Sequence, residues 1–169
     1  RECKVTRGGF YWRFKNQEDL QKRLLEEWRT TNTTPMLDAL RSDGTPKERL
    51  DRTFHLWLEE KQFDPAFDRA IRAWAATSKK VAKVVHNMDN IRLEAFEEVY
   101  RDAGYSPMEA FIRARVTYFC QVGYYTLDIH ESRKRRDELY AHYYVVLTGM
   151  SVPQEEIEKE LRTSRVLSG

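Results

Sequence analysis

The sequence predicts an all-helical protein, and three observations carry that expectation. No alternation of apolar and polar residues persists long enough to read as a strand. The chain of 169 residues holds only seven glycines. Charged residues are dense, at 33% of the total. Apolar residues, at 41%, are enough for a core, so disorder is not expected. The length suits one domain, or one domain with a fragment of another.

The elements follow from start and stop signals. Thr6 is a candidate N-cap for a short helix over 7–14, with Val5 in the turn before it. Asn16 caps the next helix, with Asp19 in the place of the usual Glu or Gln of a capping box. Leu20, Leu24, Leu25 and Trp28 recur there at helical spacing. Thr34-Pro35 opens a short piece carrying Met36, Leu37 and Leu40, which Gly44 stops. Thr45-Pro46 begins a helix striped by Leu50, Phe54, Trp57 and Leu58. Asp64-Pro65 begins another, with Phe67, Ile71, Trp74 and Ala75. Ser78 starts a longer one bearing Val81, Val85, Met88, Ala95, Phe96 and Val99, ended by Gly104.

The last two helices differ in kind. From Ser106-Pro107, one face reads Phe111, Ala114, Tyr118, Val122, Tyr125, and a second reads Ile112, Val116, Phe119, Gly123, Leu127. A helix apolar on two sides must be covered on two sides. Residues 134–150 repeat the arrangement, with Leu139, Tyr143, Val146, Leu147 and Met150 on one side and Tyr140 and Tyr144 on another. One core covers one side of each helix, and a second copy of the chain would cover the other. The expectation is a homodimer closed over the ten residues from Ile112 to Leu127 and from Leu139 to Met150 just named. The cationic run in "ESRKRRDELY", residues 131–140, is expected as a solvated loop before the last helix, and 153–169 as a polar tail.

Composition narrows the function classes. Lys and Arg number 29 against 27 Asp and Glu, so net charge identifies no partner. Within residues 1–15, however, Arg1, Lys4, Arg7, Arg13 and Lys15 face only Glu2. Cys3 and Cys120 are too few for a disulfide framework and read as reduced thiols of a cytoplasmic protein. No apolar stretch approaches the ~20 residues of a membrane span, and no leader opens the chain. His55, His86, His130 and His142 show no metal-like spacing, so neither metal nor cofactor is expected. No Ser/His/Asp or Cys/His set, phosphate-cradling loop or distinct carboxylate pair suggests an enzyme.

The opening stretch "RGGFYWRFKNQEDL" crowds aromatic and cationic residues behind two glycines. Gly8 and Gly9 are poor helix formers, and small residues at a helix front let a backbone come close to a partner such as DNA. Phe10 and Phe14 would face inward, leaving Tyr11, Trp12, Arg13 and Lys15 to offer donors to phosphate oxygens. Ordinary packing of a surface helix accounts for the aromatics equally well.

"VTRGGFYWRFKNQEDL" resembles the recognition-helix segment of TetR-family transcriptional repressors. "FDPAFDRAIRAWA", "VHNMDNIRLEAFEEVYRDAGY" and "RARVTYFCQVGY" look like the regulatory domain of one TetR subgroup. The resemblance spans most of residues 5–150. It implies a remnant of a helix-turn-helix domain with its connecting helix over 1–29, followed by a ligand-binding and dimerisation domain over 30–152. Dimerisation would be through a four-helix bundle. It further implies base- and backbone-approaching roles for Thr6, Arg7, Gly8 and Gly9, and phosphate contacts from Tyr11, Trp12 and Lys15. Trp12-Arg13 stands where many members carry an aromatic and then His. By that resemblance, the first helix and most of the second helix of such a DNA-binding domain are absent from the sequence as given.

Trp57, Phe67, Trp74, Met88, Phe96 and Tyr118 come from different helices and could line one cavity for a small, partly apolar effector. Any of them could equally fill the core. Asp89 and Arg92, three apart, either orient a polar group of that effector or form an ion pair with Arg72 that ties two helices together. The resulting expectation is a ligand-responsive regulator, acting as a repressor, that binds double-stranded operator DNA as a homodimer. A TetR-like scaffold that binds a protein instead of DNA is the alternative.

Overall fold

A computed structural model describes residues 12–151. Seven helices lie wholly within them, with no strand among the described residues. They are α1 (Gln17–Asn32), α2 (Thr34–Arg41), α3 (Pro46–Glu59), α4 (Pro65–Thr77), α5 (Lys79–Asp102), α6 (Pro107–Thr126) and α7 (Arg133–Thr148). Six of the seven are capped by a side chain that accepts from the third helical residue: Asn16, Thr45, Asp64, Ser78, Ser106 and Ser132. Thr45 and Glu48 close a full capping box. At α1 the reciprocal bond is displaced by one residue, because Asp19 accepts from the Lys15 N–H at 3.1 Å. The exception is Thr33, which ends α1 and precedes α2 with no side-chain cap. Its hydroxyl is engaged elsewhere, as described below.

α5 is the central element, packing against α2, α3, α4 and α6. α7 lies on α3 and α6, and α1 on α2 and α4. The apolar stripes bury two clusters. The larger joins Met36, Leu40, Leu50, Phe54, Trp57, Phe96, Val99, Ala114, Tyr118 and Tyr144 from α2, α3, α5, α6 and α7. The smaller joins Trp28, Ile71, Val81 and Val85, with Phe67, Trp74 and Met88 packed partly buried against it. α1 extends past the expected boundary at residue 29 and seats Trp28 fully inside this second cluster.

The cationic run departs from the expected loop. Ser132 accepts from the Arg135 N–H at 3.2 Å, so Arg133 to Arg136 form the first turn of α7. Cations there oppose the helix dipole. Pairs from Arg133 to Asp137, Arg135 to Glu138 and Arg136 to Glu60 offset them.

No helix among the described residues is long and apolar enough to cross a membrane. Cys120 is a free thiol, and Cys3 lies outside the described residues.

Gly149 stops α7 in the left-handed region at φ 71°, and a Cβ there would meet the Tyr105 hydroxyl at 2.8 Å and Arg113 at 2.7 Å. That hydroxyl donates to the Thr148 carbonyl at 2.9 Å, fastening the end of α7 to the α5–α6 corner. Gly149→Ala should cost roughly 1–2 kcal/mol from the backbone conformation alone, measured by urea unfolding.

Candidate functional site

Between the two apolar clusters lies a buried polar network drawn from α1, α4, α5 and α6. Arg72 grips Asp89 with two parallel bonds, Nη1 to Oδ2 at 3.0 Å and Nη2 to Oδ1 at 2.8 Å. Its Nε donates to Asp68 at 2.7 Å, and Asp68 in turn accepts from the Trp28 indole N–H at 2.9 Å. Arg92 donates twice to the Thr33 hydroxyl, at 3.1 and 2.6 Å, and its guanidinium lies 4.9 Å from the Trp28 ring centroid. This is why Thr33 does not cap α2. The demand of a buried guanidinium outweighs a cap bond, because an unmatched interior charge costs more.

The Tyr118 hydroxyl is the node. It accepts from Arg72 at 2.9 Å and from Arg92 at 2.8 Å, and it donates to Asp89 at 2.6 Å. One proton and two lone pairs are thereby all used. Two arginines and two aspartates balance in charge, and Asp68 and Arg92 are almost completely buried. Burial works most strongly against the charged form of Asp89, but the hydrogen bonds and charge of Arg72, the Tyr118 bond and the Arg92 charge together outweigh it and hold the carboxyl below its ordinary value. Burial likewise opposes the Arg72 charge most strongly, and the bonds to Asp89 together with the charges of Tyr118, Asp68 and Asp89 overcome it, raising the guanidinium further. Burial pushes the Tyr118 phenol up to about 12. The arrangement holds charge in place; its protons are fixed on strong donors.

The effector residues expected from the sequence fall into two separate clusters. Trp57, Phe96 and Tyr118 belong to the larger cluster, with ring centroids 5.7 Å apart for Trp57–Phe96 and 6.4 Å for Phe96–Tyr118. Phe67, Trp74 and Met88 pack on the smaller cluster, and the polar network separates the two sets. Asp89 and the Tyr118 hydroxyl are committed within that network. Of the two readings of Asp89 and Arg92, the geometry is that of an ion network tying helices together. Sequence reading overlooked Asp68, Trp28 and Thr33. Asp68 carried a signal, since it lies four residues before Arg72 and on the stripe of Ile71 and Ala75. Trp28 and Thr33 meet partners 40 and 59 positions away and carried none.

On the outer side, Ile112, Val116, Phe119, Leu127, Tyr143 and Val146 stand exposed, Val146 at 77% and Leu127 at 73%. Gly123 is among them, and a Cβ there would touch nothing within the chain. Leu147 and Met150 turn the other way and pack partly buried on the core, because α7 directs Tyr140, Tyr144 and Thr148 inward and these two flank that stripe. Leu139 is half-buried and lines a small cavity. These three are therefore half-buried rather than fully open on the outer face. Of the DNA-directed set, Trp12 is 83% exposed and Lys15 is exposed. Thr6, Arg7, Gly8, Gly9 and Tyr11 lie outside the described residues.

No cluster of three His, Cys, Asp or Glu side chains suited to a metal occurs among the described residues. No family model, curated protein or solved structure matches the chain.

Two variants test the network. Asp68→Ala strands the Arg72 Nε and Trp28 indole donors, removes the carboxylate 3.6 Å from the buried Arg92, and should cost about 3–5 kcal/mol in urea unfolding, whereas Tyr118→Phe should cost about 1–3 kcal/mol. The Asp89 carboxyl, held below its ordinary 3.8, contributes stability that is complete above that pH and is lost as pH falls through its folded value. Asp89→Asn should therefore flatten the loss of stability below pH about 4 relative to the unmodified chain.

Proposed function

We propose that the chain is a ligand-responsive transcriptional regulator of the TetR type, acting as a repressor, which binds operator DNA as a homodimer and releases it when a small effector binds. The observation that carries the reading is the outer face of α6 and α7. Large apolar side chains are exposed on it, and Gly123, in the last turn of α6, lies on the same face with no neighbour within 4 Å of a Cβ built there. Glycine within a helix costs up to about 1 kcal/mol relative to alanine, so its presence calls for a close approach by something else. A second copy supplies that approach. α6 and α7 of each subunit then form a four-helix bundle about a two-fold axis, with the same patch used on both sides.

The network gives such a dimer a means of control. α1 follows directly on the aromatic, cationic opening that resembles a recognition segment, and Trp28 and Thr33 bind its far end to α4 and α5. Exposed Trp12 and Lys15 at the near end suit phosphate contacts. In a dimer the two reading segments would stand about 34–36 Å apart, one DNA turn. An effector that favours another spacing needs only the ~1–3 kcal/mol typical of allosteric coupling.

Sedimentation velocity tests the dimer. Val146→Glu and Gly123→Leu, neither of which disturbs the interior of the subunit, should each halve the mass; a monomeric unmodified chain at tens of micromolar would reject the reading. A gel shift of the full-length protein on its own promoter should show salt-sensitive, sequence-selective binding, with random DNA bound at least 10³-fold more weakly.

A further inference from the structure

α1 and α5 run side by side in the same direction. In their first turns Glu18 accepts from Lys80 at 2.7 Å. Further along, Leu25 and Trp28 share the smaller cluster with Val81 and Val85, and beyond them Thr33 accepts from Arg92. Both helices therefore start next to one another, beside exposed Trp12 and Lys15.

Charge at this shared start is one-sided. Of the nine charged side chains in residues 12–24 and 78–84, seven are cationic. The two carboxylates, Glu18 and Asp19, are taken by Lys80 and Arg23. Lys79 and Lys83 are exposed, and neither has an ion-pair partner among the described residues. Local forces oppose the arrangement, because cations in a first turn meet the positive end of the helix dipole and like charges four apart repel. α1, α3, α4 and α6 each carry a carboxylate in that turn, and α5 carries none. α7 also begins with cations, yet Arg133, Arg135 and Arg136 each have a carboxylate of their own. At α5 only Lys80 does.

What accompanies the lysines decides the class of partner. Val81 and Val85 are buried and Val84 is half-buried, so the first two turns of α5 expose no large apolar side chain for a membrane or an apolar protein groove to take up. Side chains of a helix lean towards its N-terminus, which aims Lys79 and Lys83 at the start shared with Lys15. A DNA duplex presents one negative charge about every 1.7 Å along its axis, enough to meet lysines of two adjacent helices at once. We propose that Lys79 and Lys83 form a second contact with the DNA backbone, on phosphates adjoining those reached by Lys15. The inference rests on the DNA-binding reading above and extends it to an element outside the helix-turn-helix remnant. As phosphate contacts, the two lysines raise affinity without reading sequence.

Lys79→Gln/Lys83→Gln in the full-length protein tests the contact, with operator and random-sequence binding followed over about 50–200 mM salt. Each phosphate contact removed makes log K against log salt shallower by about 0.9, so the double variant should lose about 1.8 per subunit. Operator affinity should fall at least tenfold, random DNA should lose the same factor, and selectivity should be unchanged. Lys79→Arg/Lys83→Arg should restore the slope, and urea unfolding should be unaltered in both variants because the positions are exposed. Lys61→Gln/Lys134→Gln, which removes two exposed cations elsewhere on the surface, should leave the slope as it is. An unchanged slope without Lys79 and Lys83, or an equal loss without Lys61 and Lys134, would overturn the contact and leave the operator reading in place. Absence of selective binding by the unmodified protein would overturn the operator reading itself and this extension with it.

Discussion

The Tyr118 hydroxyl, holding two guanidiniums and one carboxylate, is the point on which the rest of this structure turns. Its ring belongs to the aromatic core with Phe96 and Trp57, while its oxygen belongs to the ionic network. A hydroxyl whose proton and lone pairs are all engaged has one comfortable orientation. The two apolar clusters on either side are therefore registered to one another through directional bonds, where apolar contact alone would permit sliding. Buried ion networks seldom add net stability over an apolar replacement, and what they supply is a defined geometry. Here the geometry defined is the seat of α1.

That seat explains two local irregularities. Thr33 forgoes capping α2 because Arg92 requires its oxygen, and the turn between α1 and α2 is held by a residue from the middle of α5. Trp28 is gripped on its edge by Asp68 and on its face by Arg92. α1 is thus bound to the body by interactions that break abruptly when a partner moves.

On the side of α6 and α7 turned away from the network the balance is reversed. α6 and α7 bury one stripe well, with Ala110, Ala114, Tyr118, Tyr140 and Tyr144 nearly inaccessible, and leave a second apolar stripe in water. A small cavity lies where these two helices meet α3.

How much of this was legible in the sequence follows from the range of each interaction. Helix starts at Thr45-Pro46, Asp64-Pro65, Ser78 and Ser106-Pro107 were readable because a cap and its partner lie three residues apart. The inward and outward faces of α6 were readable because helical periodicity is local. The cationic run before α7 was misread as a loop because Arg136 depends on Glu60, 76 positions away. The sequence by itself thus determined the helices, most of their ends and which faces are apolar. Only the tertiary structure decided which apolar residues meet. It divided Trp57, Phe96 and Tyr118 from Phe67, Trp74 and Met88 with a layer of charge, since a buried guanidinium draws its acceptors from wherever the fold brings them.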